Sequence, residues 1–456
     1  MLSGRTAEIT ELEKSYASGR NTLTILYGRS NIGKTALIRH FVKNKPCFYY
    51  SAVQASDKEQ TALLKKEMMR QGLISTYDVQ ENYAAVLKNA ENIDNNVKLI
   101  IIEEFQNIIK NNKEFMSVIA DMVKLQNEKF RVMIICTSSS ISWIENNLVT
   151  AIGSNAMAIT SFIKLKELSF VDTVRMFPGY SVPDSMIVYA VTGGVPGYMR
   201  QFTDAYSIKE NICKNILTQG KLLYNEGSDF IKEELRETSL YNTILFCIAN
   251  GEYKLNELHV HTGFGRDKIS VYLKNLIERE IVDKIFSYDI GGKEYTRKGL
   301  YRIKSAYTEF WFRYIYGNES ALSIMSPEEF FDEYIAGSLQ EFAAETFIKV
   351  GTEFIELLDS MDKLEIKIDR RGRWWGKNGN IDMIACDKEN HYIVAKFNWQ
   401  TKMFTFEMFE ELMYQVNLAG IGKDYIYLFS RETFDEELKA FAADNSNVRL
   451  VSLNDL

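Results

Sequence analysis

A lysine in a glycine-rich loop and two adjacent carboxylates further along the chain are the residues whose types and spacing could do chemistry. Residues 28–35 read Gly28-Arg29-Ser30-Asn31-Ile32-Gly33-Lys34-Thr35, a full match to the phosphate-binding pattern G-x-x-x-x-G-K-[ST]. In such a loop backbone N–H groups cradle phosphate oxygens, the lysine bridges the outer two phosphates, and the last hydroxyl ligates Mg²⁺. Gly28 and Gly33 free the backbone to take positive φ and to approach a ligand closely. The pattern predicts that Gly28, Arg29, Ser30, Asn31, Ile32, Gly33, Lys34, Thr35 and the next residue, Ala36, hold a nucleoside triphosphate, with ATP the expected one. The carboxylates are Glu103 and Glu104, which close the apolar run Val97-Lys98-Leu99-Ile100-Ile101-Ile102. The first is expected to hold Mg²⁺ through its water shell together with Thr35, and the second to polarise the attacking water. Lys34 and Glu104 are then the catalytic pair.

These residues need a rigid frame. Residues 23–27 form an apolar strand leading into the loop, and residues 36–42 favour a helix leading out of it. The run ending at Glu103 reads as a strand buried on both faces of a parallel sheet, with its acids at the carboxyl edge where ligands of such sheets bind. A third strand at 131–136 ends in Thr137-Ser138-Ser139-Ser140. A hydroxyl there, Ser138 foremost, can touch the γ-phosphate; hydroxyl residues after a strand also serve as N-caps, and residues 141–145 look helical. A further strand near 158–168 precedes a capped helix at Ser169. Strands alternating with helices predict a doubly wound parallel α/β sheet.

The 456 residues favour several domains over a single core. No apolar run approaches a membrane span, and the first sixteen residues are polar and charged, unlike a secretory signal. The five cysteines fall in no disulfide or metal-ligand spacing, which suits a reducing cytoplasm, and four dispersed histidines make no zinc site. A net charge of −7 argues against nucleic-acid binding by the whole surface, while leaving a local basic face open.

The chain resembles the AAA-type, STAND-related ATPases of archaea and bacteria whose C-terminal domain of unknown function is related to PD-(D/E)XK nucleases. The resemblance rests on Gly4-Arg5 with Glu8 and Leu12, the loop at 28–35, Ile102-Glu103-Glu104-Phe105-Gln106, and Gly193-Gly194-Val195-Pro196-Gly197-Tyr198. It implies an ATPase core at 1–180, a helical lid at 181–236, a winged helix at 237–320 and a degenerate nuclease-like domain at 330–456. It also implies that the turn at Pro196 approaches the nucleotide. Two departures stand out. The family usually has aspartate where this chain has Glu103, one methylene or about 1.5 Å longer. It also tends to have an arginine near Gly153-Ser154, a group that can neutralise transition-state charge.

Residues 240–305 read as three helices and two strand-like pieces flanking Gly291-Gly292, with 11 Lys/Arg against 8 Asp/Glu, a balance of +3. Arg266, Lys268 and Lys274 on the third helix, and Lys293, Arg297 and Lys298 on the wing, could meet DNA phosphates; a structural clamp is the competing reading. The aromatic stretch at 307–316 reads as packing. In the C-terminal part, Glu341 and Glu345 share one helix face, and Asn380-Ile381-Asp382 precedes a strand carrying Lys396 and Asn398. Laid on the related nucleases, Lys396 takes an acid's place and Asn398 a lysine's, and an ammonium at a ligand position repels Mg²⁺. Trp374 and Trp375 read as packing. The expected protein is thus a cytoplasmic, Mg²⁺-dependent ATP-binding ATPase, with a nucleotide-gated switch that binds DNA or a protein partner as the alternative. An ATP-dependent nuclease ranks last.

Overall fold

In the computed structural model, which describes residues 4–75, 79–125, 129–235, 238–288, 299–377 and 379–456, five strands carry the first part of the chain. These are β1 (Thr22–Tyr27), β2 (Cys47–Ser51), β3 (Val97–Glu103), β4 (Arg131–Ser138) and β5 (Ser161–Lys164). They pair in the order β2-β3-β4-β1-β5, every pair parallel. Parallel strands need crossovers, and helices such as α1 (Lys34–Phe41) and α2 (Asp57–Arg70) supply them. Alternate residues of β3 join different cores: Ile100 and Ile102 pack with Ile134 and Phe115, whereas Leu99 and Ile101 pack with Met133 and Leu37. Both faces are therefore covered, as the unbroken run Leu99-Ile100-Ile101-Ile102 demands. The strand expected at 131–136 continues to Ser138, because Thr137 and Ser138 stay in register with Leu26 and Tyr27.

By compactness the chain divides into one unit of residues 1–168 with 195–197, and another of 169–194 with 198–456. In the second, α3 (Val182–Thr192) starts at the Ser181 cap with Pro183 in its first turn and stops at Gly193, whose φ of 64° ends it in the left-handed region. Three helices, α4 (Thr238–Ala249), α5 (Leu255–Thr262) and α6 (Arg266–Glu278), precede an antiparallel pair, β6 (Val282–Ile285) and β7 (Leu300–Ile303). The glycines and basic residues expected on the wing, Gly291, Gly292, Lys293, Arg297 and Lys298, lie outside the described residues. The aromatic stretch forms α7 (Ala306–Tyr314), with Tyr307, Phe310, Trp311 and Phe312 buried. The Tyr307 hydroxyl donates to the Leu223 carbonyl.

The last part of the chain is a mixed five-stranded sheet beside the long α8 (Leu339–Ser360). Its strands are β8 (Arg370–Gly376), β9 (Gly379–Cys386), β10 (Tyr392–Asn398), β11 (Tyr425–Ser430) and β12 (Val448–Ser452). The order is β12-β11-β10-β9-β8, antiparallel through β8, β9 and β10 and parallel beyond. The segment after β6 is tied to this sheet: the Ser287 hydroxyl accepts from the Trp375 amide at 3.2 Å, and the Tyr288 hydroxyl donates to Cys386 Sγ at 2.8 Å. No described helix is long and apolar enough to cross a membrane.

A carboxylate lies within this second unit. Burial pushes the Glu309 carboxyl up to about 7, Arg302 and Arg313 oppose the shift, and Glu345 adds to it. The folded chain thus holds this proton more tightly than the unfolded one. The resulting stabilisation is full below the ordinary value of 4.5 and is lost as pH rises through about 7. Glu309→Gln is expected to flatten the fall in melting temperature between about pH 5 and 8, removing roughly 1–3 kcal/mol of pH dependence. Thermal melts of both proteins across that range check it.

Candidate active site

The carboxyl edge of the parallel sheet brings together the residues singled out by spacing. β1 runs into the glycine-rich loop, where Gly28 takes φ 156° and a Cβ on it would meet the Leu165 carbonyl oxygen at 2.7 Å. Asn31 and Gly33 are in the left-handed region at φ 63° and 98°. The loop ends at the start of α1, and no side chain caps that helix, so its first turn faces the loop with its amide donors. Lys34 is buried. Its Nζ donates to the carbonyls of Gly28 at 2.8 Å and Arg29 at 3.1 Å, and lies 4.0 Å from Glu104 Oε1. Burial lowers its proton affinity, and Glu104 and Glu103 partly restore it.

Glu103 and Glu104 point to different surroundings although they are neighbours. Glu103, the last residue of β3, is buried, and its Oε1 has no hydrogen-bond partner among the described residues. Burial, followed by its hydrogen bond and charge interaction with the Glu103 carboxylate, raises the Tyr49 hydroxyl well above the usual tyrosine value. Glu104 takes φ 51°, the bend being fixed by the Phe105 amide donating to the Thr137 carbonyl at 3.1 Å. That turn carries its carboxylate toward β4. There Oε2 accepts from the Ser139 amide at 3.0 Å, the Ser139 hydroxyl at 2.6 Å and Gln106 Nε2 at 2.5 Å.

Ser138, the hydroxyl expected to touch phosphate, is fully buried at the strand end. Its Oγ accepts from the Ser140 amide at 3.1 Å, and its carbonyl accepts from the Gly28 amide at 3.2 Å. The hydroxyl that meets the acidic pair is that of Ser139. Of the proposed lid turn, residues 195–197 belong to the first unit. The Gly197 amide donates to the Asn31 carbonyl at 2.9 Å, and Pro196 lies beside Gly33. Thr35 and Ala36 occupy the first turn of α1, and Ser30 and Ile32 complete the loop.

Residues 2–202 match a family described as an ATPase domain predominantly from Archaea, and residues 311–415 match one described as archaeal and bacterial proteins of unknown function. Over its first part the chain is similar to archaeal ATPase domains. A relative in Methanocaldococcus jannaschii, the uncharacterized protein MJECL04, is 29% identical over 439 residues, spanning 93% of this chain and 94% of its own. Among solved structures, the Walker-type ATPase PABY2304 of Pyrococcus abyssi is 16% identical with a TM-score of 0.49, over 68% of this chain and 96% of its own. The ORC2 protein of Aeropyrum pernix is likewise 16% identical, with a TM-score of 0.46 over 71% and 94%.

Three residues that hold the candidate site have no ranking signal in the sequence. Arg5 is buried and donates to the carbonyls of Ile32 at 3.0 Å and Lys166 at 2.7 Å, pinning the loop from outside. Ser139 and Gln106 hold Glu104. Arg5 and Gln106 stood only among the family landmarks, and Ser139 was one of four hydroxyl or cap positions with nothing in the sequence to rank it.

The other constellation is electrostatically closed. Asp382 is buried; its Oδ1 accepts from Asn380 Nδ2 at 3.1 Å, its Oδ2 accepts from the Phe397 amide at 3.1 Å, and Lys396 Nζ stands 3.9 Å away. Burial raises the Asp382 carboxyl and Lys396 opposes that. For Glu345 burial acts upward too, but Arg373, at 2.7 Å, and Arg302, at 3.6 Å, hold the carboxyl below its usual range. Glu341 pairs with Arg313 at 3.1 Å. Asn398 ties a turn, donating to Thr401 Oγ1 at 2.7 Å and the Met403 carbonyl at 3.0 Å. On α6, Arg266 donates to Asn256 at 2.6 Å, Lys274 sits 3.8 Å from Glu278, and Lys268 lies over the Phe264 ring.

The contact between Gly197 and the loop gives a test. A Cβ on Gly197 would fall 2.7 Å from Asn31 Cβ and 2.9 Å from its carbonyl oxygen. Gly197→Ala is expected to displace the turn from the loop and weaken ATP binding by about tenfold, in line with an overpacking cost of ~1–3 kcal/mol. Calorimetric titration of both proteins with Mg²⁺-ATP checks it.

Proposed function

We propose that this protein binds Mg²⁺-ATP at residues 28–36 and hydrolyses it. The observation that carries the reading is the convergence of Lys34, Glu103 and Glu104 at one sheet edge, with the buried Oε1 of Glu103 lacking a hydrogen-bond partner among the described residues. A buried anionic oxygen of this kind fits a hard cation or its bound water. Thr35 and Glu103 would hold Mg²⁺, which when bound neutralises developing charge on the phosphates. Lys34 would exchange its two carbonyl partners for outer phosphate oxygens. The amides of the loop and of the first turn, through Ala36, would cradle the inner ones. Glu104, fixed through one oxygen, would present the other to the attacking water. Pro196 would line the nucleotide from the lid turn.

The same reading divides the chain into core, lid, winged helix and nuclease-like domain, with nucleotide state resetting their arrangement. A non-hydrolysing switch is the second reading. Ser154, where the resemblance expects an arginine, favours it. The C-terminal domain would act as a scaffold, since the Lys396 ammonium beside Asp382 opposes Mg²⁺.

Steady-state hydrolysis decides between the two. Lys34→Ala is expected to abolish turnover and ATP binding together. Glu104→Gln should keep ATP binding and lose about 10²–10⁴ in turnover. Wild-type protein that binds ATP and turns none over would leave only the switch. Stimulation by duplex DNA would make the helix-turn-helix segment its sensor. Plasmid DNA incubated with the protein, ATP and either Mg²⁺ or Mn²⁺ is expected to remain intact on a gel, and nicking would overturn the scaffold role.

A further inference from the structure

Two groups of opposite charge stand at the mouth of the loop without closing a direct hydrogen bond. Lys34 Nζ and Glu104 Oε1 are 4.0 Å apart, beyond the 2.7–2.9 Å of a closed ammonium–carboxylate hydrogen bond. Both are flexible enough to close that gap. If they did, the ammonium would lose a donor for phosphate and the carboxylate would lose its free oxygen for water. Lys34 is restrained by the Gly28 and Arg29 carbonyls, which direct it along the loop. Glu104 is restrained on the other side by three donors on a single oxygen, two of them from Ser139 and one from Gln106. Charge-assisted hydrogen bonds of this kind compete well with an ion pair at partial exposure.

We infer that Ser139, with Gln106, is a positioning residue that keeps Glu104 from closing a direct hydrogen bond onto Lys34, so that both remain available to the nucleotide. This rests on the ATP-binding reading of the same site. The Ser139 hydroxyl supplies the shortest of the Ser139 bonds and is the one a substitution can remove without altering the backbone donor. Ser139→Thr keeps the hydroxyl and Ser139→Ala deletes it. In the alanine variant Glu104 swings onto Lys34, and phosphate has to break that pair before it can bind.

The test is a binding measurement in two backgrounds, Mg²⁺-ATP being titrated into the full-length protein by calorimetry. Ser139→Ala is expected to raise the ATP Kd by about tenfold, and Ser139→Thr to leave it within about twofold. In the Glu104→Gln background, where residue 104 has no charge with which to close onto the lysine, adding Ser139→Ala should change Kd by less than about twofold. Equal weakening in both backgrounds would mean a merely structural serine and would overturn the inference, as would an unchanged Kd in Ser139→Ala. A nucleotide-free measurement stands beside it: a thermal-melt double-mutant cycle on Lys34→Ala and Glu104→Gln, with and without Ser139→Ala. The coupling between residues 34 and 104 should grow when the hydroxyl is gone; a constant coupling would overturn the inference. Wild-type protein that fails to bind ATP would sink the functional reading, and the cycle would still decide this one.

Discussion

Keeping an ammonium ionised at a buried sheet edge is the constraint on which the rest of the first unit depends. Lys34 is only 8% exposed, and burial works against its charge. Oxygens must therefore surround it. Two come from the loop's own carbonyls and the charge compensation comes from Glu103 and Glu104 at the end of β3. Carbonyls can point at the lysine only if the loop turns tightly, which Gly28, Asn31 and Gly33 allow, and only if it cannot drift, which Arg5 prevents through the Ile32 carbonyl. Gly28 cannot be larger because β5 continues into Leu165, whose carbonyl lies against it.

The acidic pair shows how one backbone angle separates two roles. Glu103 ends β3 in extended conformation and stays inside with an oxygen that has no hydrogen-bond partner among the described residues. A single residue later, φ of 51° turns Glu104 out of the strand direction and toward β4. A non-glycine residue in this region costs about 1–2 kcal/mol, and the Phe105 amide on Thr137 holds it there. Adjacent identical side chains thus meet different surroundings, one directed inward and the other across the mouth of the loop.

In the second unit several charges are paired internally. Arg302 and Arg373 converge on Glu345, Arg313 on Glu341, and Lys396 stands beside Asp382. Ser287 and Tyr288, just after β6, are bonded to β8 and β9 of the last sheet. Cations that the composition offered to DNA on α6 are similarly engaged by Asn256, Glu278 and the Phe264 ring. These contacts make the segment after α4 a packed part of its surroundings, and Tyr288 and Trp374 share one core with Ile381 and Val394.

Local chemistry was legible in the chain itself. The glycine loop, the apolar run before Glu103, the strands bordering both, and the burial of the aromatic stretch at 307–316 follow from residue type and period, because short-range sterics and the alternation of a buried strand act within a few residues. What the sequence could not rank was which of four consecutive hydroxyl positions would face the acid, that Ser138 would be buried and Ser139 not, or that Arg5 would reach a carbonyl 27 residues on. Those outcomes depend on strand register: pairing Tyr27 with Ser138 turns alternate side chains to opposite faces, and one residue of slip would exchange Ser138 and Ser139. Residue types alone set which groups were available for phosphate chemistry, and tertiary pairing alone decided which of them meet, since register and the bend at Glu104 are fixed by contacts between segments far apart in the chain.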